Sequence, residues 1–293
     1  MTKLALPVYR TVENDLHATI AARTRRVYDL VAGIYPVSTY FFHSKAHAEA
    51  MALSGIRDGM RVLEVGAGNG YQASILASWK CQVVAIDVPD ENIAPTSYYP
   101  VQTYDGRVLP FEASSFDCIF SSNVLEHIQP IEPFLLETRR VLKHDGMAVH
   151  VLPSPAWRFW TSLTHYPFLF QRALRRARSG PEVAGNGKPL GDSVRRVGLK
   201  RVLFAGPHGE YPSAISELYY FSRARWVRLF ERTGFEVASV SSNRLFYTGH
   251  GLMPRLSVDA RRRLARGLGG ACNVFVLRLP SPQVGASARS RSD

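Results

Sequence analysis

The chain has 293 residues, 46% hydrophobic and 20% charged, with a net charge of +12. These proportions fit a folded globular protein and exclude a low-complexity or collagen-like chain. No uninterrupted apolar run of about 18 residues occurs, so the sequence predicts no transmembrane helix. The first ten residues lack the apolar stretch of a secretory signal. Cys81, Cys118 and Cys272 are odd in number and unclustered, each in or beside an apolar run. They predict buried thiols in a reducing, cytoplasmic compartment, with neither a disulfide framework nor a zinc site.

The charge is unevenly placed. Arg61 to Leu152 carries eleven acidic residues against six basic ones, whereas Pro153 to Glu210 carries ten basic against three acidic. Arg255 to Gly267 adds five arginines against one aspartate. A cation-binding pocket and an anion-attracting surface need opposite fields, and the chain has material for both.

In chain order, apolar spacing predicts a helix over Glu13 to Ala32, closed by Gly33 and Pro36, and a second over Tyr40 to Leu53 with His43 and His47. Strands and helices then alternate. Arg61 to Val65 reads as a strand, Asn69 to Trp79 as a helix and Gln82 to Ile86 as a second strand ending at Asp87. A proline-broken stretch leads to a weak third strand, Val101 to Tyr104, and a fourth, Phe116 to Ser121. Pro130 to Leu142 reads as a helix opened by proline, and Gly146 to Leu152 as a fifth strand. This alternation predicts parallel pairing and a doubly wound α/β sheet.

Pro153 to Tyr220 interrupts the pattern, first aromatic (Trp157 to Phe170), then basic, then rich in glycine and proline. A helix over Arg223 to Thr233, a sixth strand over Phe235 to Val240, a basic helix over Ser257 to Arg266 and a seventh strand over Asn273 to Leu279 complete the sheet. The Ser/Ala/Arg tail after Pro280 is expected to be disordered. The division expected is a helical lid over 1–56, a core over 57–152, an insertion over 153–222, the rest of the core over 223–279, and the tail over 280–293.

The segment Val62-Leu63-Glu64-Val65-Gly66-Ala67-Gly68-Asn69-Gly70 is strand, glycine turn and helix start. In open α/β sheets ligands bind beyond the carboxyl ends of the strands. The dinucleotide fingerprint Gly-x-Gly-x-x-Gly fails here, because its third glycine position is Tyr71 and Gly70 comes one place early. Glu64 inside the strand suits a ligand with an ammonium and a sulfonium better than a pyrophosphate.

Four features in order resemble the class I S-adenosylmethionine (SAM)-dependent methyltransferases, in the branch known as methyltransferase type 11. They are the glycine segment; Val84-Ala85-Ile86-Asp87-Val88; Asp105-Gly106 with Leu109-Pro110-Phe111 and Phe116-Asp117; and Asn123-Val124-Leu125-Glu126-His127-Ile128 followed by the proline-opened helix. The resemblance covers Arg61 to Leu152 closely and Arg223 to Val240 loosely. It implies a Rossmann-like doubly wound sheet of seven strands, with N-terminal helices and a long insertion after the fifth, and SAM as cofactor. By the same resemblance Glu64 lies near the methionine end. Gly66, Ala67, Gly68 and Gly70 line the amino-acid part and ribose, and Asp87 with Val88 meets the ribose. Asp105 and Gly106 meet the adenine, and Asn123 closes the pocket near the sulfonium.

Methyl transfer from a sulfonium obliges no catalytic residue, and a base matters chiefly for a hydroxyl acceptor. The candidates for that base are His127, His208 and Glu210, with Glu217, His43 and His47 behind them; no metal-ligand set stands out. Ser122-Asn123-Val124-Leu125 lacks the Asn/Asp-Pro-Pro-Tyr of base-methylating enzymes, which disfavours nucleic acid despite the basic balance. The aromatic and arginine-rich insertion suits a bulky, partly apolar or anionic acceptor, and the expected reaction is methyl transfer to a hydroxyl of a lipid, a lipid-linked sugar, a quinone precursor or a glycan unit. The insertion also suits peripheral contact with an anionic membrane at its inner face. The competing readings are a nicotinamide-dependent oxidoreductase on the same fold class and a non-catalytic membrane or partner-binding module.

Overall fold

The computed structural model describes residues 55–89, 98–179, 205–250, 253 and 256–281. The two expected N-terminal helices with His43 and His47, the stretch 90–97, much of the basic insertion and the tail lie outside the described residues.

Seven strands form one sheet: β1 (Arg61–Val65), β2 (Gln82–Asp87), β3 (Val101–Thr103), β4 (Phe116–Ser122), β5 (Leu142–Pro153), β6 (Glu236–Ser242) and β7 (Cys272–Arg278), in the order β3-β2-β1-β4-β5-β7-β6. The helices are α1 (Tyr71–Ser78), α2 (Ile131–Val141), α3 (Pro155–Ser179), α4 (Ala214–Tyr220), α5 (Arg223–Arg232) and α6 (Val258–Leu268). Strands β1 to β5 pair in parallel. They are buried on both faces, which is why β1, β4 and β5 read as nearly continuous apolar runs instead of alternating ones. One face packs Val62, Phe120 and Val149 against α1, and the other packs Leu63, Ile119 and Ala148 against Phe134, Trp226 and Phe230 of α2 and α5. The α/β doubly wound sheet of seven strands expected from the sequence is therefore present.

Parallel pairing throughout is corrected at the edge. β7 runs antiparallel to both β5 and β6. The chain leaves β6 and enters β7 at the same end of the sheet: the Asn243 amide donates to the Cys272 carbonyl and the Ala271 amide to the Leu245 carbonyl. The return, with α6 in it, does not cross a face of the sheet, so β7 enters from the end where β6 stopped.

The insertion also opens on a helix that aromatic composition hid. Ser154 caps α3, its hydroxyl accepting from the Trp157 amide and donating to the Gly270 carbonyl, and Pro155 follows at the first helical position. Pro167 sits inside α3. It is exposed, as is Leu163 one turn back, so the carbonyl it leaves without a donor faces water. Cys81, Cys118 and Cys272 are all buried free thiols, as expected.

Candidate functional site

The carboxyl ends of β1 and β2 are joined by backbone. The Gly66 and Ala67 amides both donate to the Ile86 carbonyl, at 2.9 and 3.1 Å. Gly66, Gly68 and Gly70 all adopt positive φ (72°, 54° and 75°), which makes glycine the favoured residue at each. Their surroundings differ. A Cβ on Gly66 would lie 2.2 Å from a Val124 methyl, and one on Gly70 2.6 Å from the Tyr99 carbonyl, whereas one on Gly68 would meet nothing within 4 Å. Two of the three glycines thus let the chain pack on itself, and Gly68 alone presents bare backbone to open space.

Asp87 ties this loop down. One carboxylate oxygen accepts from the Gly68 amide at 2.6 Å, and the other from the Val88 amide at 2.7 Å. Each oxygen keeps a second lone pair, so two further donors can be met. Glu64 is its opposite. It is 1% exposed, and neither oxygen has a hydrogen-bond partner. Burial first, and the Asp87 charge second, push its carboxyl up to about 8, against a smaller opposing effect of the Ala73 amide. A ligand carrying positive charge beside Glu64 would relieve that penalty, and this is the property SAM has. The donor set fits the cofactor that the sequence pattern implies.

The remaining expected residues stand around this edge. Val88, 42% exposed, offers an apolar surface, and a Cβ on Gly106 (φ 75°) would lie 2.9 Å from one of its methyls. Ala67 is buried against Ala73 and Ala85. Asn123 adopts φ 54° at the end of β4, its amide donating to the Val151 carbonyl. Asp105 is fully exposed, and one oxygen is committed to its own turn, accepting from the Arg107 and Val108 amides. Those donors hold its carboxyl below the usual carboxylate range.

Directly after Val124, the residue that packs on Gly66, the chain makes a short 3-10 turn, Leu125–His127. Glu126 is completely buried, with neither carboxyl oxygen hydrogen-bonded. One of them lies 3.9 Å from Nε2 of His127 and 3.7 Å from Nε2 of His208. The His208 ring packs 5.1 Å from His127 and 4.8 Å from Trp157 of α3, centroid to centroid. The loop carrying His208 is clamped from below. Glu217 accepts from the His208 and Gly209 amides at 2.6 and 2.7 Å, and its other oxygen meets Arg158 at 3.2 Å. Arg158 and Glu217 are 2% and 0% exposed, so this ion pair is fully desolvated.

Of the expected bases, the structure brings His127 and His208 together on one carboxyl group. Glu210 is exposed and uses its amide, which donates to the Glu126 carbonyl. Glu217 is turned to other partners, accepting from Arg158 and from the two loop amides. Sequence reasoning placed Trp157 in the insertion's aromatic run but overlooked Arg158 and the buried state of Glu126. The Ser154-Pro155 pair, a helix cap followed by a first-turn proline, was the signal that placed Trp157 and Arg158 on one helical turn.

Residues 63–150 match a family model described as a methyltransferase domain. A demethylmenaquinone methyltransferase of Tropheryma whipplei is 31% identical over 148 residues, covering 47% of this chain and 62% of that protein. A ubiquinone biosynthesis O-methyltransferase of Bartonella tribocorum is 25% identical over 111 residues, 35% of this chain and 45% of that protein. The chain thus spans about half the length of these curated relatives. Among solved structures, a SAM-dependent methyltransferase from Mesorhizobium loti superposes with a TM-score of 0.45 at 15% identity, over 78% of this chain and 95% of that one. The fold assignment rests on strand order and pairing, not on that superposition. The glycine loop and the acids at the ends of β1 and β2 lie within the stretch that matches the methyltransferase domain, and SAM is the cofactor that this stretch fits.

Proposed function

We propose that the protein transfers the methyl group of SAM to a hydroxyl of an apolar, lipid-like small molecule. Quinone precursors stand ahead of lipid-linked sugars and glycans. The observation that carries this reading is the pair His127 and His208, placed beside buried Glu126 and against the Trp157 ring, in and next to the turn that directly follows Val124, the residue packed on the glycine loop. Imidazoles beside an aromatic wall suit a weakly acidic hydroxyl on an apolar molecule. Two relatives are named for quinones, which supports the same acceptor class.

In this reading Glu64 faces the positively charged methionyl end. Gly66, Ala67, Gly68 and Gly70 line the path of the amino acid and ribose, and Asp87 accepts from the ribose hydroxyls. Val88, Asp105 and Gly106 border the adenine, and Asn123 closes the pocket. When bound, SAM supplies a methyl group already activated by the sulfonium. The chain's own task is to align the acceptor oxygen and take its proton. His127 and His208 are the groups placed to hold that proton. Residues 153–222 act as the acceptor-facing cap on the core of 57–152.

The outer face of α3 has a second use. Phe159, Leu163, Tyr166, Phe170 and Leu174 form an exposed stripe at helical spacing, and Arg172, Arg175, Arg176 and Arg178 follow in sequence. Such a pattern suits peripheral contact with anionic lipid, where an apolar acceptor resides. No helix among the described residues is long and apolar enough to cross a membrane.

The first test is thermal. S-adenosylhomocysteine at about 100 times its dissociation constant stabilises by roughly 2.7 kcal/mol, and NAD should give no shift. A shift with NAD alone would overturn the reading. With methyl-labelled SAM, label should pass to a hydroxylated, solvent-extractable acceptor. Label recovered only in water-soluble glycan would move the acceptor class. Sedimentation with anionic but not neutral liposomes tests the α3 surface.

A further inference from the structure

Among the described residues, Glu126, His127 and His208 form one group whose ligand-type atoms all lie within 4.8 Å of one another. We propose that these three side chains bind a divalent transition-metal ion of the zinc class.

The first argument is the carboxyl group. Glu126 is 0% exposed and neither oxygen finds a donor, a costly arrangement unless something else meets it. What faces it is two imidazoles, their Nε2 atoms 3.9 and 3.7 Å from one oxygen. Those separations are too long for hydrogen bonds. They are close to what a shared ion requires, since bonds of about 2.0–2.2 Å in a tetrahedral site put ligand atoms roughly 3.3 Å apart. Both imidazoles are partly exposed, 41% and 36%, so rotation of the rings can shorten these separations.

The second argument is how the loop is fixed. A completely buried ion pair, Arg158 with Glu217, holds the His208 and Gly209 amides from one side. On the other side Gly209 presses on Glu126: a Cβ there would lie 2.6 Å from the Glu126 carbonyl. The Glu210 amide donates to that same carbonyl at 3.0 Å. Every one of these contacts is to loop backbone, so the loop is held in place while the imidazole of His208 is left facing the carboxyl group. Trp157 packs on its ring and limits its swing.

Two imidazoles and one carboxylate suit zinc-like ions, whereas calcium and magnesium prefer oxygen throughout. Three protein ligands leave a fourth position open, as in catalytic and not structural sites. An ion there would lower the pKa of a hydroxyl bound at that position, and this would take the place of direct proton acceptance by the two imidazoles. The metal proposal stands without this last step, and its test does not depend on methyl transfer.

The full chain is stripped with a chelator and titrated with zinc by calorimetry, and with cobalt by visible absorption. The expectation is one ion per chain, with cobalt bands of low coordination number. Glu126→Gln, His127→Ala and His208→Ala should each weaken binding by at least about tenfold, since even groups that only orient a ligand are worth roughly 10–100-fold. His144→Ala, on the exposed part of β5, should bind as the parent does. His208 is exposed, so its variant keeps the proposal testable if Glu126→Gln melts early. Absence of binding, or unchanged binding in both His208→Ala and His127→Ala, would overturn the site. An unchanged S-adenosylhomocysteine shift in the same variants separates loss of metal from loss of the methyl-donor pocket.

Discussion

At the ends of β1 and β2, backbone does the positioning. Amides of Gly66 and Ala67 meet the Ile86 carbonyl, and amides of Gly68 and Val88 meet Asp87. At the ends of β4 and β5, side chains do it. Glu126, His127, Trp157, Arg158, His208 and Glu217 come from four segments and meet through rings and carboxyl groups. A backbone-built edge tolerates variation in what surrounds it and recurs as a local pattern. A side-chain edge depends on a few desolvated contacts, so each one matters more and none leaves a local trace.

The largest expected effect is therefore on the side-chain edge. Removing one partner of a buried ion pair leaves an uncompensated charge and costs about 3–5 kcal/mol. Arg158→Ala should lower stability by that amount in chemical denaturation, and the folded fraction should still bind S-adenosylhomocysteine. A loss below about 1 kcal/mol, the size typical of a solvated pair, would mean that water reaches Arg158 and that the two edges are not so different.

On the backbone edge the expected effect is on binding. Asp87→Ala removes the acceptor of two loop amides and of the ribose hydroxyls assigned to it. Charge-assisted hydrogen bonds contribute about 1.5–3 kcal/mol each, so affinity for S-adenosylhomocysteine should fall roughly a hundredfold. Far-ultraviolet circular dichroism should stay that of the parent. Unchanged affinity would detach the ribose from β2.

A smaller effect, with a distinctive sign, comes from Glu64. Its carboxyl lies at about 8 in the fold against an ordinary 4.5. A raised carboxyl stabilises the fold fully below its unfolded value, and that contribution is lost as pH rises to about 8. His150, buried and pressed down to about 3 by desolvation, contributes a constant amount above its ordinary 6.5. Above pH 6.5, then, the ligand-free protein should lose stability with rising pH. Affinity for SAM should climb over the same range, by up to about tenfold per pH unit below 8, because the ionised carboxylate is the form that meets a cation. Glu64→Gln should flatten both slopes. Slopes of the same sign would show that Glu64 does not face positive charge.

The sequence made the first edge readable and left the second largely hidden, for the same physical reason. A glycine turn, an acid at a strand end and an apolar run are local, and the strand Arg61–Val65 is found with its expected bounds. Asp105 spends one oxygen on its own turn, a commitment that composition does not display. The antiparallel β7 escaped because helix α6 resembles a crossover helix, although β7 starts at the end of the sheet where β6 stops. His127 and His208 are far apart in sequence and are brought together by the packing of α3 and α4 and by the contact of the Gly209–Glu210 backbone with Glu126. Nothing in either residue's neighbourhood announces the other.

The smallest expected effect compares two glycines within the backbone edge. Gly66→Ala puts a methyl 2.2 Å from Val124 at φ 72°, while Gly68→Ala puts one in open space at φ 54°. A positive φ on alanine costs about 1–2 kcal/mol. Gly66→Ala adds overpacking of about 1–3 kcal/mol and pushes on the turn that carries Glu126 and His127. Gly68→Ala should therefore lower the melting temperature less than Gly66→Ala does. Its effect should fall on ligand affinity, because the new methyl stands where the methionyl and ribose parts are assigned to pass. If Gly68→Ala binds S-adenosylhomocysteine as the parent does, the ligand crosses elsewhere. The bare backbone at Gly68 would then be a product of the turn's geometry alone.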